Sequence, residues 1–257
     1  MELVTVGTGT VAPSATRTAA CHWVSRGDVR LLLDCGAGAL HQLARCNLPW
    51  REISHVALSH FHPDHYGELP MLVYALKYTA VPARTAPLTL LGPPGTLALL
   101  KALAEGFGPW LLDPGFPLAV LEFGEDPAMP LDGSLRIEAF PVPHTAESLA
   151  LSVTAPEGRL VYTGDTGPSD ELARWASGCD LLLAECSLPE AMAIDIHLTP
   201  ERAGDLARAA GTKHLVLTHF YPPVENTDPA RIAAARSGGR VTAARNGDRF
   251  TIGGTTC

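Results

Sequence analysis

The stretch Leu58 to Leu69, LSHFHPDHYGEL, sets three histidines and an aspartate within six positions: His60, His62, Asp64 and His65. Neutral imidazole nitrogen and carboxylate oxygen together form a donor set for divalent transition metals. In an extended segment, side chains two apart share a direction, so His60 and His62 address one position. Asp64 and His65 turn toward a second as the chain enters a helix at DHYGELPML. One short loop thereby feeds two metals. A pair of ions needs more donors than this loop holds, and candidates stand after apolar runs elsewhere: His144 in FPVPHTAES, Asp165 in LVYTGDTG and His219 in LVLTHF. Alone, each reads as a turn residue or a hydrogen-bonded histidine; beside the cluster they read as a set. The expected assignment gives one ion His60, His62 and His144 and the other Asp64, His65 and His219, with Asp165 bridging. A nitrogen-rich set without thiolate favours two Zn2+ ions, and the spacing also admits Mn2+ or Fe2+.

Such donors must be carried by rigid elements. Short apolar, β-branched runs ending in Gly, Asp or His recur and read as strands: LVTVGTG, VRLLLDCG, HVALSHF, LTLLGP, LRIEAFPV, LALSVTA, RLVYTGD, DLLLAEC, HLVLTHF and RFTIGG. Helix-like segments lie between some of them: ALHQLARC, LPMLVYALKYTA, GTLALLKALAEGF, SDELARWASG, TPERAGDLARAAG and DPARIAAARSG. Several start on a Ser, Thr or Asp cap, with Pro200 and Pro229 in the first turn. The alternation is mixed α/β, with enough strands for two sheets covered by helices. His55 to Phe61 and His214 to Phe220 share the pattern H-x-x-L-[ST]-H-F, as two similar half-domains would if each presented a histidine at the end of an inner strand. If those ends meet, His60 and His219 converge.

Bulk properties narrow the function classes. The chain has 257 residues, 46% hydrophobic and 18% charged, which suits one globular domain over residues 1–257. A net charge of -8 provides no basic field for holding nucleic acid non-specifically. The N-terminus lacks the charged start and apolar core of a signal peptide, and no apolar run reaches the roughly 18 residues of a membrane span, so a cytoplasmic protein with no membrane partner is expected. Cys21, Cys35, Cys46, Cys179, Cys186 and Cys257 form no CxxC pair and are expected to be buried free thiols. Gly7 to Gly9 is followed by neither GxGxxG nor a P-loop lysine, which rejects a nucleotide cofactor.

The arrangement H-x-H-x-D-H, followed by separated His, Asp and His, resembles the metallo-β-lactamase fold superfamily over nearly the whole chain. The resemblance implies a four-layer αβ/βα sandwich of two half-domains, with metals at one edge between the sheets. Within the superfamily the chain is similar to the ribonuclease Z branch. Gly7-Thr8-Gly9, Pro13-Ser14 and Arg17 match its opening, DCGAGALHQL matches its D-C-G-x-G segment, and Glu185 with His197-Leu198-Thr199 matches its Glu and His-Ser/Thr element. By this resemblance Asp64 ligates a metal and orients the nucleophile. His197 protonates the leaving oxygen or steadies phosphoryl oxygens, Glu185 orients His197, and Asp34 supports the ligand loop. A loop arginine such as Arg17 pairs with a substrate phosphate or stays solvated. Dimers are common in the branch, which implies a homodimer.

Two ions sharing a water bring its pKa near neutrality, so a metal-bridging hydroxide attacking a phosphodiester is the expected chemistry. Members of the branch that process tRNA carry a long arm between the third-motif histidine and the bridging aspartate. Here only TAESLALSVTAPEGRLVYTG separates His144 from Asp165, enough for two strands and a turn. With the acidic charge, this favours a small phosphodiester or short nucleic acid as substrate. Hydrolysis of a carboxylic ester, lactone or thioester is the alternative, because the same donors activate water toward a carbonyl. The Pro-, Gly- and aromatic-rich run from Lys77 to Phe116 is expected to form a rim over the site, where Phe107, Trp110 and Phe116 could line it. His22, His41, His55 and His214 are expected to be structural or exposed.

Overall fold

VRLLL and LLLAE are apolar at every position but Arg30 and Glu185, because both faces of these strands are covered. Leu31 and Leu33 join Leu151, Val153 and Leu183 in a cluster between two sheets, while Leu32, pointing the other way, packs under helices with Trp23, Leu43 and Leu72. The computed structural model describes residues 1–124 and 126–253, so Cys257 lies outside the described residues.

The first sheet contains β1 (Glu2–Gly7), β2 (Cys21–Arg26), β3 (Val29–Leu33), β4 (His55–Ala57), β5 (Leu88–Gly92) and β6 (Leu118–Glu122). The second contains β7 (Ala128–Pro130), β8 (Arg136–Pro141), β9 (Leu149–Ala155), β10 (Gly158–Tyr162), β11 (Leu181–Glu185), β12 (His214–Thr218) and β13 (Arg240–Ala243). The last strand, β14 (Asp248–Thr251), returns to the first sheet, giving the orders β14-β1-β2-β3-β4-β5-β6 and β13-β12-β11-β10-β9-β8-β7. Each sheet is parallel along one half, β3 to β6 and β10 to β13, and antiparallel along the other.

Helices α1 (Ala39–Arg45), α2 (Pro63–Tyr66), α3 (Leu69–Tyr78) and α4 (Thr96–Phe107) belong to the first half of the chain. The second half carries α5 (Asp170–Trp175), α6 (Pro200–Ala210), α7 (Pro222–Glu225) and α8 (Pro229–Ser237). Leu43, Leu72 and Leu100 of α1, α3 and α4 cover the outer face of one sheet, and Leu172, Leu206 and Ala233 of α5, α6 and α8 cover the other. The order is therefore helix, sheet, sheet, helix, the expected four-layer αβ/βα sandwich. Ser169, Thr199 and Asp228 accept from the backbone N–H three residues on, capping α5, α6 and α8 as anticipated. Each fully buried leucine contributes about 1.5–3 kcal/mol, and three such clusters hold the strand ends in fixed relation.

Two elements differ from the sequence reading. The entry after Pro63 is broken: α2 ends at Tyr66 and α3 begins at Leu69. The aromatic rim is instead part of the outer helical layer. Phe116 is buried and Trp110 packs beside it among the residues of α3 and α4, with Tyr74 edge-on to Trp110 at 5.0 Å. Phe107 stands half exposed at the end of α4. Burying apolar rings against the sheet outweighs any advantage of leaving them at a mouth. Cys21, Cys35, Cys179 and Cys186 are buried free thiols; Cys46 is free but half-buried.

The D-C-G segment is legible in packing terms. A side chain on Gly36 would place its Cβ 1.9 Å from the Asp64 carbonyl oxygen, so the ligand loop can lie here only against a glycine. Gly36→Ala is expected to displace that loop, lowering stability by about 1–3 kcal/mol, the range for overpacking. Thermal unfolding followed by circular dichroism should show a midpoint roughly 2–10 °C lower; an unchanged midpoint would show that the loop moves freely.

Candidate metal centre

Open α/β sheets present ligands at the carboxyl ends of their parallel strands. Asp34 follows β3, the run from Leu58 to His65 follows β4, Asp165 follows β10, Glu185 ends β11 and His219 follows β12. His144 follows β8, whose carboxyl end lies on the same edge because β8 and β10 both run antiparallel to β9. The repeated H-x-x-L-[ST]-H-F falls on β4 and β12, inner strands of opposite sheets, and His60 and His219 do converge on one carboxylate.

The donors form two groups. His62 Nδ1 lies 3.0 Å from His60 Nε2 and 3.1 Å from His144 Nε2. His65 Nε2 and His219 Nε2 are 3.3 Å apart, with Asp64 Oδ2 3.6 Å from the latter. Asp165 stands between, turning Oδ2 to the first group at 3.8 Å from both His60 and His144, and Oδ1 to the second at 3.4 Å from both His65 and His219.

This set fits a divalent metal cofactor. Asp165 Oδ1 is buried without a hydrogen-bond partner among the described residues, a costly state unless a cation faces it. Ring nitrogens gathered about 3 Å apart likewise suit a cation between them. Burial pushes Asp165 upward, but the His219 and His65 imidazoles overcome it and hold the carboxyl well below the usual carboxylate range. At His65 burial lowers and the Asp165 and Asp34 carboxylates raise, leaving it well above the usual imidazole range. His60 is pushed down to about 3 by burial and by His65.

The nitrogens that face away from the cluster also have partners. His65 Nδ1 donates to Asp34 Oδ2 at 2.7 Å, and His144 Nδ1 donates to the Ile196 carbonyl at 3.0 Å. His60 Nδ1 is 3.0 Å from Ser59 Oγ, and His219 Nδ1 is 2.9 Å from Ser187 Oγ. Such bonds select the tautomer and aim the opposite nitrogen. Asp34 is fully buried and accepts from Ser59 N, Ser59 Oγ, His65 Nδ1 and Tyr162 Oη, the last at 2.7 Å. It sits at φ 60, and His219 at φ 59, left-handed backbone that costs non-glycine residues of order 1–3 kcal/mol and clusters at functional sites.

Glu185 is fully buried rather than a surface glutamate. It accepts from His197 Nδ1 at 2.8 Å and Thr166 N at 2.7 Å, and from the Ser187 hydroxyl. His197 is drawn close to the cluster, with Asp165, His197 and His219 offering ligand-type atoms within 4.8 Å of one another. Burial lowers its pKa, but the bond to Glu185 and the Glu185 charge raise it above the usual value. Gly167 makes room for this segment, since a Cβ there would meet the Asp195 carbonyl oxygen at 1.8 Å.

Arg17 is held in place rather than solvated, and it also lines the cavity beside Asp64. Its guanidinium bonds Glu225, Thr8 Oγ1 and the Ala244 carbonyl and lies 4.4 Å over the Phe220 ring, while Phe220 N donates to Thr8 O at 3.0 Å. The G-T-G…R opening thus clamps the turn that carries His219. Beside Asp64 a cavity of about 440 Å³ is lined by this opening loop, including Thr10, Val11 and Pro13, and by Ala37 and Gly38.

Four polar residues around the site escaped the sequence reading: Ser59, Tyr162, Ser187 and Tyr221. Tyr221 stacks edge-on to His219 at 5.9 Å. The repeated [ST] position before each strand-end histidine was a usable signal for Ser59; hydroxyls at Tyr162, Ser187 and Tyr221 carry none. His22 is fully buried edge-on to Tyr162 at 5.0 Å, and burial lowers it to about 3. His41 is exposed; His55 and His214 start their strands, where Ser54 and Thr242 bond them.

Two sheets of seven strands with these donors at one edge define a metal-dependent hydrolase. Residues 29–220 match the beta-lactamase superfamily domain, and the chain belongs to that family. It is 29% identical over 268 aligned residues to the ribonuclease Z of Mycobacterium bovis strain BCG / Pasteur 1173P2, covering 94% of each chain. Among solved structures it is similar to the metallo-beta-lactamase fold protein YhfI from Bacillus subtilis, with TM-score 0.83, 23% identity and coverage of 97% of this chain and 98% of that one. It is also similar to human short-form tRNase Z, with TM-score 0.79, 24% identity and coverage of 98% and 99%. Among the described residues, no helix is long and apolar enough to cross a membrane.

Proposed function

We propose that this protein is a dinuclear zinc phosphodiesterase, acting as one domain on a small phosphodiester or a short nucleic acid. The observation that carries the reading is His197, held by the buried Glu185 beside the ligand cluster. Metal ligands must give up their protons; His197 lies outside the donors assigned to the two ions, so it is the imidazole beside them that can keep a proton, held against Glu185, for a leaving oxygen.

In this reading His60, His62 and His144 hold one ion, Asp64, His65 and His219 the other, and Asp165 spans both. Such ions, when bound, would supply an activated water and neutralise charge growing on phosphoryl oxygens. Asp64, at the edge of the cavity, would orient the nucleophile, and His197 would protonate the departing alkoxide. Asp34 keeps His65 in its ligating tautomer.

The relative named ribonuclease Z supports phosphodiester chemistry. The size of the substrate rests on the chain itself. Between His144 and Asp165 lie only β9 and β10 and a tight turn, and the net charge is -8. The cavity beside Asp64 has room for a nucleotide-sized group. Buried free thiols suit a reducing cytoplasm.

The test compares zinc-loaded protein on bis(p-nitrophenyl) phosphate, 2′,3′- and 3′,5′-cyclic nucleotides, precursor tRNA, a lactone and a thioester. Small phosphodiesters should be turned over faster than precursor tRNA. Turnover confined to the lactone or thioester would replace this reading with carbonyl hydrolysis.

A further inference from the structure

Each half of the molecule holds one buried carboxylate that bonds one histidine directly and faces a second across a serine. In the first half Asp34 accepts from His65 Nδ1 at 2.7 Å and from Ser59 Oγ at 2.8 Å, and Ser59 Oγ lies 3.0 Å from His60 Nδ1. In the second half Glu185 accepts from His197 Nδ1 at 2.8 Å and from the Ser187 hydroxyl, and Ser187 Oγ lies 2.9 Å from His219 Nδ1. Asp34, Glu185, Ser59 and Ser187 are all completely buried.

A serine hydroxyl has one proton and two lone pairs. With a carboxylate that can only accept on one side, the hydroxyl proton points there, which leaves the oxygen as acceptor for the histidine. His60 and His219 must then carry their proton on Nδ1 and turn an unprotonated Nε2 toward the donor groups. Without the serine, either histidine loses the bond that selects this tautomer, and its Nδ1–H is left buried and unpaired. The serines are not equivalent in sequence, since Ser59 adjoins its histidine and Ser187 follows its carboxylate by two residues. Their common geometry is a product of the fold.

We infer that Ser59 and Ser187 are paired positioning residues, each extending a buried carboxylate to a second histidine and each serving a different metal position: Ser59 the one at His60, Ser187 the one at His219. Glu185 thereby governs both the ligand His219 and the proton donor His197, while Asp34 governs ligands facing both positions. The inference rests on the metal assignment made under Proposed function and is independent of the substrate.

The experiment uses the full chain loaded with zinc. Affinity at each step is measured by competition with a chromophoric chelator, and the position emptied is read from zinc anomalous diffraction of crystals grown at limiting zinc. Ser59→Ala should weaken the position at His60, and Ser187→Ala that at His219, each by about 10–100-fold. The other position should stay within about threefold of the parent. Ser187→Thr, which keeps the hydroxyl, should recover most of the loss. Thermal midpoints of the metal-free variants, matched to the metal-free parent, exclude general unfolding as the cause; a Ser59→Ala protein that does not fold leaves the decision to the Ser187 pair. Parent-like affinity at both positions, equal weakening of both, or a threonine variant no better than alanine overturns the inference. A parent that binds no zinc overturns the metal assignment along with it; a parent that binds two ions beside unaffected serine variants overturns this inference alone.

Discussion

Asp165→Ala is expected to lose the paired metals and, at neutral pH, to fall in kcat/KM by on the order of 10⁴ or more, because the activated water disappears with the ions that lower its pKa from 15.7 to about 7. Asp165 is the one side chain with an oxygen turned to each donor group, Oδ2 to His60 and His144 and Oδ1 to His65 and His219. Among the proposed ligands it is also the one whose buried oxygen has no hydrogen-bond partner among the described residues to compensate for a missing cation. Removing it should leave five imidazoles and Asp64 in place but separate the two positions. Metal content by mass spectrometry after dialysis, alongside rates on bis(p-nitrophenyl) phosphate, decides the matter. Two ions per chain and near-parental turnover in Asp165→Ala would remove the bridging role.

His197→Ala has the second-largest expected effect, and its signature is different. The proposed ligand set is untouched, so metal content should stay at the parental level. General-acid catalysis contributes typically 10²–10⁴-fold, and that much kcat should disappear on an ester with a poor leaving group, such as a nucleoside alkoxide. An ester that expels p-nitrophenolate needs little protonation and should lose far less. Equal losses on both esters would assign His197 to steadying phosphoryl oxygens. Parental rates on both would exclude it from the reaction. Because Glu185 holds His197 through Nδ1 and reaches His219 through Ser187, Glu185→Ala should show the same leaving-group dependence in weaker form together with weaker zinc binding at His219.

How much of this could be read from residue order depends on how local each signal is. The loop from His60 to His65 announces its chemistry within six residues, because four donors at that density have few other uses. His144, Asp165 and His219 were legible because each closes a run of apolar residues, and strand ends are where such sheets carry function. The strands most visible in the sequence were those buried on both faces. Those that escaped notice, β2, β6, β7 and β13, are short, polar or at a sheet edge, and β6 and β13 mix exposed and half-buried positions. Pairing at an edge runs through the backbone, which leaves little mark on side-chain type. The supposed aromatic rim failed for a related reason: Trp110 and Phe116 look alike in sequence whether they line a mouth or fill a layer, and burial chose the layer.

By itself the sequence determined the donor types, their division into a loop and three distant strand ends, and the layered α/β class, because composition and spacing along the chain carry that information. Only the tertiary structure decided which carboxylate holds which histidine. Asp34 reaches His65 across 31 residues and Tyr162 across 128, Arg17 clamps the turn at His219, and two serines complete the contacts to His60 and His219. The physical reason is that a ligand's identity is set by its own side chain. The tautomer and aim of an imidazole are instead set by whatever buried group meets its other nitrogen, and that partner is chosen by packing across the chain.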